Sequence, residues 1–297
     1  MVTVVLALLT SASNATASVL QRRAASQASS ARSLHLSLIA ELARRRVWLA
    51  GIGLVMVAAL FQAGALATGP IALVQPIFII ELPLAILLGG LVMHRRIPSR
   101  IWIAVAAVTV GLGTGLAVAQ PGGGSDHAAN GLWMLALIAV GAFELVVISA
   151  AMRVVGEPRA ALLGLAAACA YALTAALLKE SMAALGRGPG AFFSTWQLYA
   201  TAVVGVGALF LLQNALQAGT LVASQPMLTV GDALISISLG VVLFGEQVRT
   251  GWWLPLEILC LALVVLGCVE IAKSPLVGAG DERQPSAQVP HPAADVG

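Results

Sequence analysis

The sequence predicts an all-α polytopic membrane protein with about nine transmembrane helices in an inverted-topology repeat, helices 1 to 4 matching helices 6 to 9. Three observations carry this: the apolar content, the placement of arginine, and a residue pattern that recurs 150 positions along the chain. Of 297 residues, 59% are apolar and 10% charged, with a mean hydropathy of +0.95. A soluble fold does not absorb that composition. About 20 apolar residues cross a bilayer core roughly 30 Å thick as a helix, so the chain holds about nine crossings and little else. A secreted domain, a nucleic-acid module and most hydrolases are excluded.

The spans follow in order. Helix 1 covers 2 to 21 and stops at Arg22 and Arg23. Ala15-Thr16-Ala17 resembles a signal cleavage site, but no basic residue precedes the stretch, so it is read as a span. Helix 2, 47 to 67, follows Arg44, Arg45 and Arg46; helix 3, 71 to 93, ends before Arg95 and Arg96; helix 4, 101 to 119, follows Arg100. A loop from Gln120 to Asn130, containing Pro121-Gly122-Gly123-Gly124, separates these from helix 5, 131 to 152, and then comes Arg153. Helix 6, 159 to 180, closes on Lys179 and Glu180; helix 7 covers 193 to 213, helix 8 covers 218 to 244, and helix 9, 253 to 272, precedes Lys273. The Pro/Ala/Gln/Asp tail after Pro275 has little to bury and is expected to be disordered.

Basic residues alternate between loops. Arg22, Arg23, Arg32, Arg44, Arg45, Arg46, Arg95, Arg96, Arg100, Arg153, Arg159, Lys273 and Arg283 fall on one face, and Lys179, Arg187 and Arg249 on the other. The positive-inside rule then puts the C-terminus in the cytoplasm and the N-terminus outside a cytoplasmic membrane. Cys169, Cys260 and Cys268 lie in apolar stretches with no metal-ligand spacing and read as packing residues.

Shifting the chain by 150 residues sets Gln75-Pro76 on Gln225-Pro226, Gly90 on Gly240, Val92 on Val242 and Trp102 on Trp252. A shift of 158 sets Thr16, Ala17, Leu20 and Ala25 on Thr174, Ala175, Leu178 and Ala183. The expected division is 1–125 as the first four-helix repeat, 126–155 as linking helix 5, 156–275 as the second repeat and 276–297 as the tail. Five helices separate equivalent positions, so the halves are inverted, a basis for alternating access around a central site.

Gln225-Pro226, the apolar run to Phe244-Gly245-Glu246, Trp252 and a glycine-containing helix to Gly267 resemble the repeat of EamA-type members of the drug/metabolite transporter superfamily. Pro76, Gly89-Gly90 and the helix with Gly111 and Gly115 resemble it in the first half. The resemblance covers residues 47 to 119 and 193 to 273. It departs from the family where Arg95 and Arg96 replace a Gly-Glu pair. Nine helices with an outside N-terminus resemble the NIPA-like magnesium-transporter branch more than the ten-helix layout.

Ionisable groups at mid-membrane cost about 2.5 to 3.5 kcal/mol each on insertion scales, which singles out Glu81 in helix 3, Glu144 in helix 5 and Asp232 in helix 8. No lysine or arginine lies at comparable depth. These carboxyls are either coupling or cation-binding groups, neutralised by a proton, a metal ion or a cationic substrate, or permanently protonated packing groups. Under the 150 shift Glu81 falls on Gly231, one residue from Asp232 and therefore about 100° around the helix. Pro76 and Pro226 free the carbonyls of Ala72 and Val222 and are expected to kink helices 3 and 8, with Gln75 and Gln225 beside them to hold a polar solute or relieve the broken ladder.

Other polar residues have simpler readings. Asn14, Gln62, Gln213 and Asn214 suit interhelical hydrogen bonds. Lys179 with Glu180, Glu246 with Arg249, Glu257, and Glu270 with Lys273 sit near helix ends, where snorkelling or i,i+3 pairing suffices. Gly111-x-x-x-Gly115 allows close helix approach, within the fold or across a homodimer. His35, His94, His127 and His291 fall in loops or the tail, and no P-loop or HExxH occurs, so no enzyme and no cofactor are expected.

The expectation is a secondary transporter moving a small solute, with proton coupling through the carboxyls. The alternatives are a divalent-cation (magnesium) transporter, for which one or two carboxylates plus waters suffice, and a non-transporting scaffold. The bilayer and a small-molecule or cation substrate are the expected partners, with no nucleic acid.

Overall fold

Apolar residues without water must satisfy their backbone internally, and the chain does so with helices throughout. The structure, a computed structural model, describes residues 1–26, 46–92, 96–249 and 251–274. The expected tail, with Arg283 and His291, lies outside the described residues, as do Arg32, His35, Arg44, Arg45, His94 and Arg95. The helices are α1 (Val2–Ser26), α2 (Arg46–Thr68), α3 (Ile71–Val92), α4 (Ser99–Ala119), α5 (Asn130–Ala151), α6 (Glu157–Leu185), α7 (Trp196–Ala218), α8 (Leu221–Phe244) and α9 (Leu254–Ala272). Among the described residues these nine are long and apolar enough to cross a membrane. The chain is an all-α polytopic membrane protein.

Several boundaries differ from the expectation: α1, expected to stop at Arg22 and Arg23, runs on to Ser26. α6 runs on to Leu185, because Lys179 and Glu180 are buried and paired rather than marking a helix end. α7 starts later and ends later. Gly188 at φ 118° opens a separate short helix, Pro189–Ser194, and extended Thr195 breaks it from α7. At the far end Asn214 donates its amide to Phe210 O at 2.8 Å, so the polar pair Gln213-Asn214 continues the helix instead of stopping it.

Packing follows the repeat helix by helix. α1 lies against α2 and α3, α6 lies against α7 and α8, and α3 meets α8. α5 rests on α6. The centre of this arrangement is α6, whose Ala166, Ala167, Ala168, Ala170, Ala172, Ala175 and Ala176 are all buried. Alanine lets neighbouring backbones close in, which is how helices associate where lipid removes the hydrophobic drive.

α4 pairs with α9. A Cβ at Gly111 would stand 2.9 Å from Cys260 O and 3.1 Å from the Val264 side chain; one at Gly267 would stand 2.9 Å from Ala104 O and 2.6 Å from the Val108 side chain. Each contact becomes the other when residues 156 positions apart are exchanged, so this interface has a local two-fold axis. The match of Trp102 with Trp252 at 150 is corrected by that register. α8 and its connection to α9 are longer than α3 and its connection to α4, and Trp252 precedes α9 while Trp102 lies within α4. Gly111 and Gly115 both face Cys260 of α9, so the small-residue motif is used inside the chain.

Candidate functional site

Proline 76 offers no N–H, and α3 responds by tightening. Ile71–Ile77 is α-helical, Phe78–Ile80 forms a 3₁₀ turn, and Glu81 begins a second α segment that runs to Val92. The Phe78 N–H turns to Gln75 O, and Ser11 of α1 donates its hydroxyl to Ile77 O at 3.4 Å. Pro226 has no such effect: α8 is one helix from Leu221 to Phe244. The interruption expected in both halves is therefore present in the first alone.

The 3₁₀ turn brings Glu81 beside Asn14 of α1. On α8, Ser236 donates its hydroxyl to Asp232 Oδ1 at 3.3 Å. Tyr171 of α6 lies near enough to both carboxylates to feel their charge. Asn14, Glu81, Tyr171 and Asp232 each sit about halfway along their helices. Four helices, two from each half, thus meet in one polar cluster at mid-depth. Among the described residues no lysine or arginine pairs with either carboxylate. The one-residue register difference leaves both Glu81 and Asp232 near Tyr171.

Glu144 stands elsewhere. It is half-buried on α5 and its charge acts on Cys169, which lies two residues and so about 200° around α6 from Tyr171. Gln75 is buried in α3 beside buried Pro76, between the polar cluster and the helix start; Gln225 is half-buried, and its carbonyl accepts the Thr229 hydroxyl at 2.8 Å.

A second polar assembly lies toward the arginine-poor face. Gly245, at φ 63°, ends α8 in the left-handed conformation open to glycine, and the chain turns Glu246 back over Gly240. The Glu246 carboxylate accepts the Ile71 N–H at 2.7 Å and the Ala72 N–H at 2.8 Å, capping α3. Lys179 Nζ donates to Glu246 Oε1 at 2.8 Å and to Gly69 O at 3.2 Å, and sits 5.0 Å from the centre of the Phe244 ring. The two side chains are 4% and 0% exposed, so water cannot replace the pair. Beside it Glu180 accepts from His127 Nδ1 at 2.9 Å and from the Ala128 N–H at 3.0 Å, while Arg187 donates to the His127 ring. Phe244 also stacks edge-on with Trp133, which stacks likewise with Trp196.

This overturns the helix-end reading of Lys179, Glu180 and Glu246: none snorkels, and Glu246 pairs with Lys179 rather than Arg249. Hydropathy missed it because the partners are far apart in sequence. The Phe-Gly-Glu turn after the apolar run was the available signal. The pairing of Glu270 with Lys273 is present at 3.0 Å, and Arg100 joins it at 2.6 Å.

Compared with known proteins, the chain is 24% identical over 244 residues to an uncharacterized protein of Corynebacterium glutamicum, covering 80% of this chain and 83% of that one. No family model and no solved structure matches.

Proposed function

We propose that the chain is a secondary transporter of the drug/metabolite type, moving a small solute across the cytoplasmic membrane with Glu81 and Asp232 as its proton-carrying groups. The observation that carries this reading is the mid-depth cluster of Asn14, Glu81, Tyr171 and Asp232, drawn from α1, α3, α6 and α8. Carboxyls without a fixed cation are neutralised by whatever arrives, and exchange of a proton for a solute is the simplest use of that exchange. The inverted halves supply the means of exposing the cluster to each side in turn. The arginine distribution supports an outside N-terminus and a cytoplasmic C-terminus.

The test is proton release from purified protein on adding a panel of cationic solutes or magnesium, in wild type and in the Glu81→Gln, Asp232→Asn double variant. Release by an organic solute that disappears in the variant is the expected result. Release by magnesium alone would replace this reading with the cation one. Silence with every ligand, together with no flux in vesicles, would leave a scaffold with protonated packing carboxyls.

A further inference from the structure

We infer that Lys179 and Glu246 form a latch that closes the arginine-poor face, and, resting on the transporter reading above, that this latch parts whenever Glu81 and Asp232 are exposed to that side. The pair ties three segments together: α6 through Lys179, the turn after α8 through Glu246, and the start of α3 through Gly69, Ile71 and Ala72. Two of these belong to the second half and one to the first, so the halves cannot separate at this face while the bonds hold.

The surrounding loops close over the same place. Gly122 and Gln247 exchange both backbone bonds at 3.0 and 2.8 Å, Ser125 N–H reaches Phe244 O at 2.7 Å, and Arg249 N–H reaches Ala119 O at 2.8 Å. At the opposite face two of the polar links between helices are exposed. Glu157 holds Thr220 at an exposed position, and Arg100, 72% exposed, meets Glu270. Water and salt compete with such contacts, whereas they do not reach Lys179 and Glu246.

The latch is also one-sided in sequence. The shift of 158 places Gln21 opposite Lys179, and the shift of 150 places Arg96 opposite Glu246. Glutamine and arginine cannot form a charge pair, so the inverted half has no copy of this device. Mechanically, Glu246 grips the start of α3 and the 3₁₀ turn before Glu81 ends the same segment, a lever about 15 Å long. Parting the latch frees the piece of helix that positions Glu81.

The experiment uses the full chain with Cys169, Cys260 and Cys268 replaced by alanine and Gln75→Cys introduced as a probe, since Gln75 is 3% exposed between the latch and the cluster. A membrane-impermeant maleimide is applied from the arginine-poor face. Lys179→Met and Glu246→Gln should each speed labelling on the order of a hundredfold, the effect of stripping a buried charge of its partner. The swap Lys179→Glu, Glu246→Lys should not restore closure, because lysine has no acceptor for the Ile71 and Ala72 N–H groups. Unchanged labelling in monodisperse variants overturns the latch, whereas full recovery in the swap would uphold the charge pair and overturn the part assigned to the α3 cap. Should Glu246→Gln fail to fold, Lys179→Met keeps the α3 cap and still decides. Faster labelling in a protein whose wild type moves no solute would uphold the closure and overturn the transport reading; solute flux with unchanged labelling would do the reverse.

Discussion

Single atoms decide whether the Glu246 carboxylate can reach the start of α3. A Cβ at Gly240 would stand 2.3 Å from Glu246 Oε2, so alanine there forces the cap apart. Gly240→Ala should lower the thermal midpoint in detergent by the equivalent of about 1 to 3 kcal/mol, as overpacking does. Gly207→Ala is the control: nothing lies within 4 Å of its added Cβ, and α7 should gain up to about 1 kcal/mol of helix propensity. Equal melting of the two variants would show that Glu246 does not need the space. At this scale the sequence was only partly legible. Glu81 and Asp232 stand out because a carboxyl in an apolar run is costly wherever it points, but Tyr171 does not, since a lone aromatic in an alanine-rich helix looks like packing. Lys179 was misread for the opposite reason: lysine near a helix end has an easy snorkelling account, and only its burial against a residue 67 positions away removes that account.

Between residues and bundle stand the helices, and two with the same Gln-Pro pair behave differently. Each residue of a 3₁₀ turn advances about 20° further than in an α-helix, so three such residues rotate Glu81 by about 60°. Pro76→Ala restores the missing donor and lets α3 run straight, turning Glu81 away from Asn14. Ligand-driven proton release should fall severalfold while the protein stays folded. Pro226→Ala, in a helix already continuous, should leave release near wild type. Equal losses in both would mean that the two prolines act alike. Nine spans could be read from hydropathy, which averages over a whole helix and tolerates errors of a few residues. A break of three residues falls below that resolution, and proline composition alone does not say which helix yields.

For the molecule as a whole, the repeat is visible in how helices pair. The α4–α9 interface is two-fold at atomic detail, so its two glycines should matter equally. Gly111→Leu and Gly267→Leu should each lower the melting midpoint by the equivalent of about 1 to 3 kcal/mol or more, and Gly113→Leu, with nothing within 4 Å of its Cβ, should not. A large difference between the first two would break the symmetry claimed for this contact. The sequence shift of 150 found the repeat, but one number cannot describe it. The halves match at 158 in the first helices and at 156 in the last, because helix and connection lengths drifted while the contacts were kept.

The aromatic neighbours of the latch give it an optical signature. Trp133 is 2% exposed, with its indole N–H unpartnered among the described residues, and packs on the Phe244 ring over which Lys179 sits. Trp102, Trp196 and Trp252 are exposed. An indole in a dry site emits at shorter wavelength than one whose N–H has found water, so Trp133, kept as the one tryptophan by replacing Trp48, Trp102, Trp196, Trp252 and Trp253 with phenylalanine, reads the state of the Lys179–Glu246 pair without any label.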